Sequence, residues 1–172
     1  MKRQSTPRRT VFALLVAAFC APFAQAQDLP KPTGEVILTV TGKISRTNAE
    51  GRADFDREML AKLGLVEMKT SHSWADQATV FEGVPAARLL DAVGAKGDRI
   101  KAVAINNYAI ELEAAEMRRY PVQLALKADG VELRRRDRGP IWIVYPRDAF
   151  PELKDEKHNF KWIWQLRTLE IR

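Results

Sequence analysis

Tryptophans at 74, 142, 162 and 164, histidines at 72 and 158, and the run Arg134-Arg135-Arg136-Asp137-Arg138 are the side chains with most chemistry to offer. None of them falls into an enzyme constellation. The two histidines lie far apart in sequence, and each reads as a loop or surface residue. H-E-x-x-H, a Gly-rich phosphate loop and G-x-S-x-G are all missing. The aromatic residues say more. Trp162, Trp164 and Leu166 share one parity, while Leu169 and Ile171 share the other. A regular strand cannot bury both sets on one face, so a bulge or bend is expected between Gln165 and Thr168. Such irregularities re-aim side chains beside binding sites. Trp162 reads as a core residue, whereas Trp164 fits a core position and a ligand platform equally well.

The arginine run reads first as a solvated hairpin arm. Parity nonetheless puts Arg135 and Asp137 on the face of Val131 and Leu133, which would carry a charge over the sheet. Asn106-Asn107-Tyr108 lies between two expected strands. Paired Asn residues can make a turn. They can equally present amide donors and acceptors to the edge of a heterocycle, with Tyr108 packing alongside.

The elements that must position these groups are short and mixed. Val36 to Ile44 alternates as a strand, and Asp54 to Leu63 reads as a helix stopped by Gly64. Leu65 to Thr70 is expected as a strand and Trp74 to Glu82 as a loop or short strand. Pro85 stands at a first helical position before Ala86, Leu89, Leu90 and Val93, and Gly94 ends that helix. Strands are expected at Ile100–Ile105 and Tyr108–Leu112, then a short helix at Ala114–Arg119 stopped by Pro121. Gln123–Lys127 and Val131–Arg135 flank Ala128-Asp129-Gly130, a hairpin signal. Ile141–Tyr145 reads as a central strand buried on both faces. Pro151 to Asn159 is a polar loop, and Trp162 to Ile171 closes the chain. The expected fold is α+β, a single-domain mixed β-sheet with a few short helices.

Composition narrows the function classes. The chain has 172 residues, 46% hydrophobic and 29% charged, which excludes a disordered or collagen-like protein. Residues 2–9 are basic, Val11 to Phe23 is apolar, and Ala24-Gln25-Ala26 offers small residues for cleavage. This is the layout of a signal peptide, so residues 1–26 are expected to be removed and 27–172 to form one periplasmic domain with no membrane insertion after cleavage. Removing Lys2, Arg3, Arg8 and Arg9 takes the net charge from +6 to +2, too little for a nucleic-acid footprint. The one cysteine, Cys20, lies in the same segment. The mature domain therefore has no disulfide, thiolate metal site or cysteine nucleophile.

Four blocks carry a resemblance: Phe81-Glu82-Gly83-Val84-Pro85 with Leu89-Leu90-Asp91-Ala92-Val93-Gly94; Ala104-Ile105-Asn106-Asn107-Tyr108; Gly139-Pro140-Ile141-Trp142-Ile143-Val144-Tyr145-Pro146; and Trp162-Ile163-Trp164-Gln165-Leu166. In this order they resemble the molybdopterin-binding domain of the sulfite oxidase family. Enzymes of that family hold molybdenum through a cysteine thiolate shortly before the first block. Here that stretch, residues 67–74, has Ser71, His72 and Ser73 but no cysteine. Neither a hydroxyl nor an imidazole readily replaces a soft thiolate. The chain is most similar to small exported cysteine-less members of the family, which include periplasmic binders of reduced pterins that control a membrane-bound cyclic-di-GMP enzyme.

The resemblance thus implies a pterin-binding regulator rather than an enzyme, with a reduced pterin as ligand and molybdenum not expected. Trp74, Tyr108 and Trp164 would supply stacking faces. Asn107, Gln165 and Arg136 would meet the polar edge, Asp137 would pair with an amino nitrogen, and Tyr145 completes the set. Arg134, Arg138 and Arg147 are expected on the rim that docks the periplasmic domain of a membrane sensor. A molybdopterin-dependent oxidoreductase and a ligand-free interaction module of the same fold are the alternatives.

Overall fold

The computed structural model describes residues 29–172, so the expected signal segment lies outside the described residues. The chain runs β1 (Val36–Gly42), β2 (Arg52–Asp56), α1 (Arg57–Lys62), β3 (Val66–Thr70), β4 (Thr79–Pro85), α2 (Ala86–Ala92) and β5 (Arg99–Ala104). It continues through β6 (Ala109–Glu113), α3 (Ala114–Arg119), β7 (Gln123–Ala128), β8 (Val131–Glu132), β9 (Trp142–Val144) and β10 (Leu166–Ile171). Short 3-10 turns occupy Arg135–Asp137, Pro151–Lys154 and Glu156–Lys161.

The strands form two sheets rather than one. The first has the order β2-β1-β10-β5-β6; the second has the order β3-β4-β7-β8, with β9 also on β7. The β1–β10 pair is parallel, which makes the first sheet mixed. Both sheets and all three helices contribute to one core, from Leu38 and Val40 of β1 to Leu60, Leu90 and Met117 of the helices. Layers of this kind bury one face each against a shared interior.

Local chemistry explains most elements. Helix α2 follows Pro85 and ends at Gly94, whose φ of +60° carries a paired closure: Gly94 N donates to Asp91 O at 3.1 Å and Ala95 N to Leu90 O at 2.9 Å. The hairpin between β7 and β8 turns at Asp129 and Gly130, with φ +49° and +77°, the twist-compatible mirror turn expected from its sequence. The register of β10 against β5 shifts between Leu166 and Thr168, which places the expected irregularity. Leu166, Leu169 and Ile171 all face the core as a result.

Three expectations are corrected. Asp54 to Leu63 is not all helix, because residues 52–56 form β2. Asp54 accepts Thr39 Oγ1 at 2.8 Å, and Asp56 caps α1 by accepting Met59 N at 2.8 Å. The helix starts after the second acid because that side chain satisfies its first amides. The strand expected through Arg135 stops at Glu132, so the parity argument for Arg135 and Asp137 lapses. β9 is buried throughout, yet it pairs with β7 alone. Its burial comes from the segment packed over it, where Ile163 O accepts Ile143 N at 2.9 Å, not from flanking strands on both sides.

Candidate functional site

The four tryptophans converge from three separate segments. Trp142 comes from β9, Trp162 and Trp164 from the irregular stretch before β10, and Trp74 from the loop between β3 and β4. Each segment is tied down. Gln165 takes φ +54°, its amide N–H donating to Arg138 O and its carbonyl accepting Ile105 N, both at 2.9 Å. Lys161 is held by both carboxylate oxygens of Glu116 at 2.7 and 2.8 Å, which pins the turn preceding Trp162 to α3. Asp148 accepts Ser71 N at 2.7 Å, and Arg147 donates to Ser73 Oγ and Lys154 O, each at 3.0 Å.

His72 sits at the centre of the cluster and is 5% exposed. Its ring lies 5.2 Å from Trp142, 5.9 Å from Trp162 and 6.1 Å from Trp74, centroid to centroid. Trp74 N–H must donate, so His72 Nδ1, 3.2 Å away, is the acceptor. The ring proton therefore resides on Nε2, which donates to Thr79 Oγ1 at 3.2 Å. Burial, aided by the positive charges of Arg138 and Arg147, holds this imidazole below the ordinary histidine value and keeps it neutral. The Arg138 guanidinium lies over Trp142 at 5.0 Å and Trp164 at 5.6 Å, a pair of cation–π contacts.

Two cavities flank this cluster. One, of about 300 Å³, is lined by Trp74, Tyr108, Phe160, Trp162 and Trp164, with Asn106 and Asn159 as its amides. Trp74 and Trp164 meet edge to face at 5.2 Å and 84°, and so present ring surfaces at right angles. The cavity falls at the small end of the range for organic ligands, and its mainly apolar wall with a few amides suits a flat heterocycle. The other, of about 240 Å³, lies among His72, Thr79, Asp129, Asp137, Arg138 and Trp142.

The structure brings together the three expected stacking residues, Trp74, Tyr108 and Trp164. It distributes the polar set differently. Asn107 turns the chain with φ +66° and accepts Arg167 Nη2 at 3.3 Å, leaving the neighbouring Asn106 to line the aromatic cavity. Gln165 is engaged in the backbone, its Nε2 donating to Arg135 O at 2.6 Å. Arg136 is exposed and pairs with Asp137 at 3.3 Å, and only Asp137 reaches a flanking cavity. Tyr145 is fully buried; its hydroxyl has no hydrogen-bond partner among the described residues, and burial drives its ionisation far up. It lines none of these cavities and acts as core. Of the three arginines expected on the docking rim, only Arg134 is exposed without a side-chain partner among the described residues. Arg138 covers the tryptophans, and Arg147 clamps the loop that carries Trp74. His72, Phe160 and Asn159 were not legible as site residues, because loops with no periodicity bring them in, and Arg138 was expected on the docking rim rather than over the tryptophans.

The donor set does not suit the molybdenum that the fold family implies. Residues 67–74 carry no thiol, both nitrogens of His72 are engaged, and no cluster of three His, Cys, Asp or Glu side chains able to hold a metal occurs among the described residues.

No protein-family model matches this chain, and no curated protein matches it. Among solved structures it is similar to the sulfane dehydrogenase SoxCD from Paracoccus pantotrophus, at a TM-score of 0.58 and 19% identity over 78% of this chain. The chain spans 37% of that protein's length. At this identity the likeness speaks to architecture. The α+β domain with two sheets and few helices shares its fold with part of that protein.

Proposed function

We propose that this protein is a periplasmic pterin-binding regulator that acts through a membrane-bound cyclic-di-GMP enzyme or another membrane sensor, and that it is not an enzyme. The observation that carries the reading is the open cavity walled by Trp74, Tyr108 and Trp164. A pterin is flat and aromatic, with donors and acceptors along one edge. Stacking on Trp164 or Trp74 would bury its faces, and Asn159 and Asn106, whose Oδ1 also accepts Tyr108 N at 3.0 Å, line the same cavity and would supply the polar edge with partners. A missing thiolate is compatible with a ligand held by stacking and hydrogen bonds alone.

Signalling then requires that bound and free forms differ in affinity for the sensor. Tyr108 and Phe160, 49% and 52% exposed, stand on the rim of the cavity and would meet both ligand and partner. Titration of the mature protein with dihydrobiopterin, followed by tryptophan fluorescence and calorimetry, tests the binding step. Saturable one-to-one quenching is expected. Heat and fluorescence indifferent to the pterin would leave a ligand-free interaction module of this fold.

A further inference from the structure

A larger cavity, of about 690 Å³, has no tryptophan in its wall. Its wall is built from residues 33–37, the start of α1, the base of the β7–β8 hairpin, and Pro140, Leu166 and Arg167. Val36, Ile37, Ile105, Leu133, Pro140 and Leu166 make it apolar on several sides. Val36 is 43% exposed there.

The charges around it are unequally engaged. Every carboxylate is held. Asp56 accepts backbone N–H groups from Thr33, Gly34 and Met59, and these bonds hold it below the usual carboxylate range. Glu58 pairs with Lys62 at 2.8 Å, Glu132 with Arg57 at 3.5 Å, and Glu35 with Arg135 at 3.4 Å. Arg57 also donates to Leu126 O and Leu133 O, which makes it part of the wall. Two guanidiniums remain uncommitted to any carboxylate among the described residues. Arg134 has no side-chain partner, and Arg167 has only the Asn107 side chain at 3.3 Å. The Arg135–Glu35 pair is exposed on both sides and yields readily to a competing anion.

We infer that this cavity is a second binding site, for an organic monoanion that sets an apolar body against Val36, Ile37 and Leu133 and its carboxylate between Arg134 and Arg167. Planar guanidiniums are suited to a carboxylate, and the volume suits a small organic acid better than a bare inorganic anion. The site stands whether or not the tryptophan cavity takes a pterin.

The test uses the mature protein and two probes of one shape, indole-3-acetate and its neutral amide, indole-3-acetamide. Amide-resolved NMR titration should give saturable shifts at Val36, Ile37 and Leu133 with the acid. Affinity for the amide should be lower by about tenfold or more, as expected for loss of a charged hydrogen-bond partner. Arg134→Glu combined with Arg167→Glu should produce a comparable loss for the acid while leaving the Trp74 and Trp164 indole signals unshifted. Arg134→Lys with Arg167→Lys should retain part of the affinity. Equal affinity for acid and amide, shifts confined to the tryptophan cavity, or no saturable shift at millimolar acid would each overturn the inference.

Discussion

The tryptophan cluster has two halves made of one residue type in two settings. Trp142 and Trp162 are 2% and 3% exposed and pack against Phe81 and His72 on their closed side. Trp74 and Trp164 are half-buried and line an open cavity. The same indole therefore does two jobs. Almost wholly buried, it stabilises the fold, because its removal would leave a void that the rigid neighbours cannot close. With one face free it keeps a stacking surface whose best partner is another flat ring.

The largest expected effect lies in the closed half. Trp142→Ala should cost about 3–5 kcal/mol of stability, read as a lower urea midpoint; a loss within the range of surface substitutions would erase the distinction between the halves. Next comes the open half. Trp164→Ala should weaken dihydrobiopterin binding by about 1–3 kcal/mol, roughly 5- to 150-fold, with a smaller shift in melting than Trp142→Ala. Intact binding with a collapsed melting temperature would move Trp164 into the closed half.

Arg138 bridges the halves through Trp142 and Trp164. Arg138→Gln should cost about 0.5–2 kcal/mol from the lost cation–π contacts, with the pterin affinity changing too. A change in melting without any change in binding would make Arg138 a lid for the closed half alone.

The mildest effect is acid dependence through His72. Its folded value is depressed below 6.5, so the unfolded chain takes up the proton first. That contribution to stability is complete above pH 6.5 and is lost as pH falls toward the folded value. Protonating Nδ1 also removes the acceptor for Trp74 N–H, so acid should loosen the open half before the closed one. A flatter stability profile below pH 6.5 in His72→Gln is the expected result, and a profile as steep as that of the unaltered protein would remove His72 from the acid response.

Several features were readable from the chain because they depend on neighbours in sequence. The mirror turn at Asp129-Gly130, the Gly94 stop of α2 and the 114–119 helix follow from local dihedral preference, while Pro85, expected as the first helical residue, closes β4 and the helix begins one residue later. The break before Thr168 was readable because two apolar parities cannot share one face. The start of α1 was misplaced by three residues, since Asp54 and Asp56 look alike in sequence and only one of them caps. Tyr145 was counted with the site because β-rich apolar residues do not reveal which way the polar tip of one ring points.

By itself the sequence determined which residue types were at hand: four indoles, no thiol beyond the expected signal segment, and short elements bounded by Gly and Pro. Tertiary structure decided their assignment. It set His72 among the rings with both nitrogens engaged, laid Arg138 over Trp142 and Trp164, exchanged Asn107 for Asn106 at the cavity, and split the strands into two sheets. Some of those outcomes rest on contacts distant in sequence, His72 with Trp142 and Trp162 and Arg167 with Asn107, and others on short loop contacts, His72 with Trp74 and Thr79 and Arg138 with Trp142. Local preferences extend over one turn or one hairpin, and the groups that share a site here arrive on loops whose paths only packing and distant hydrogen bonds determine.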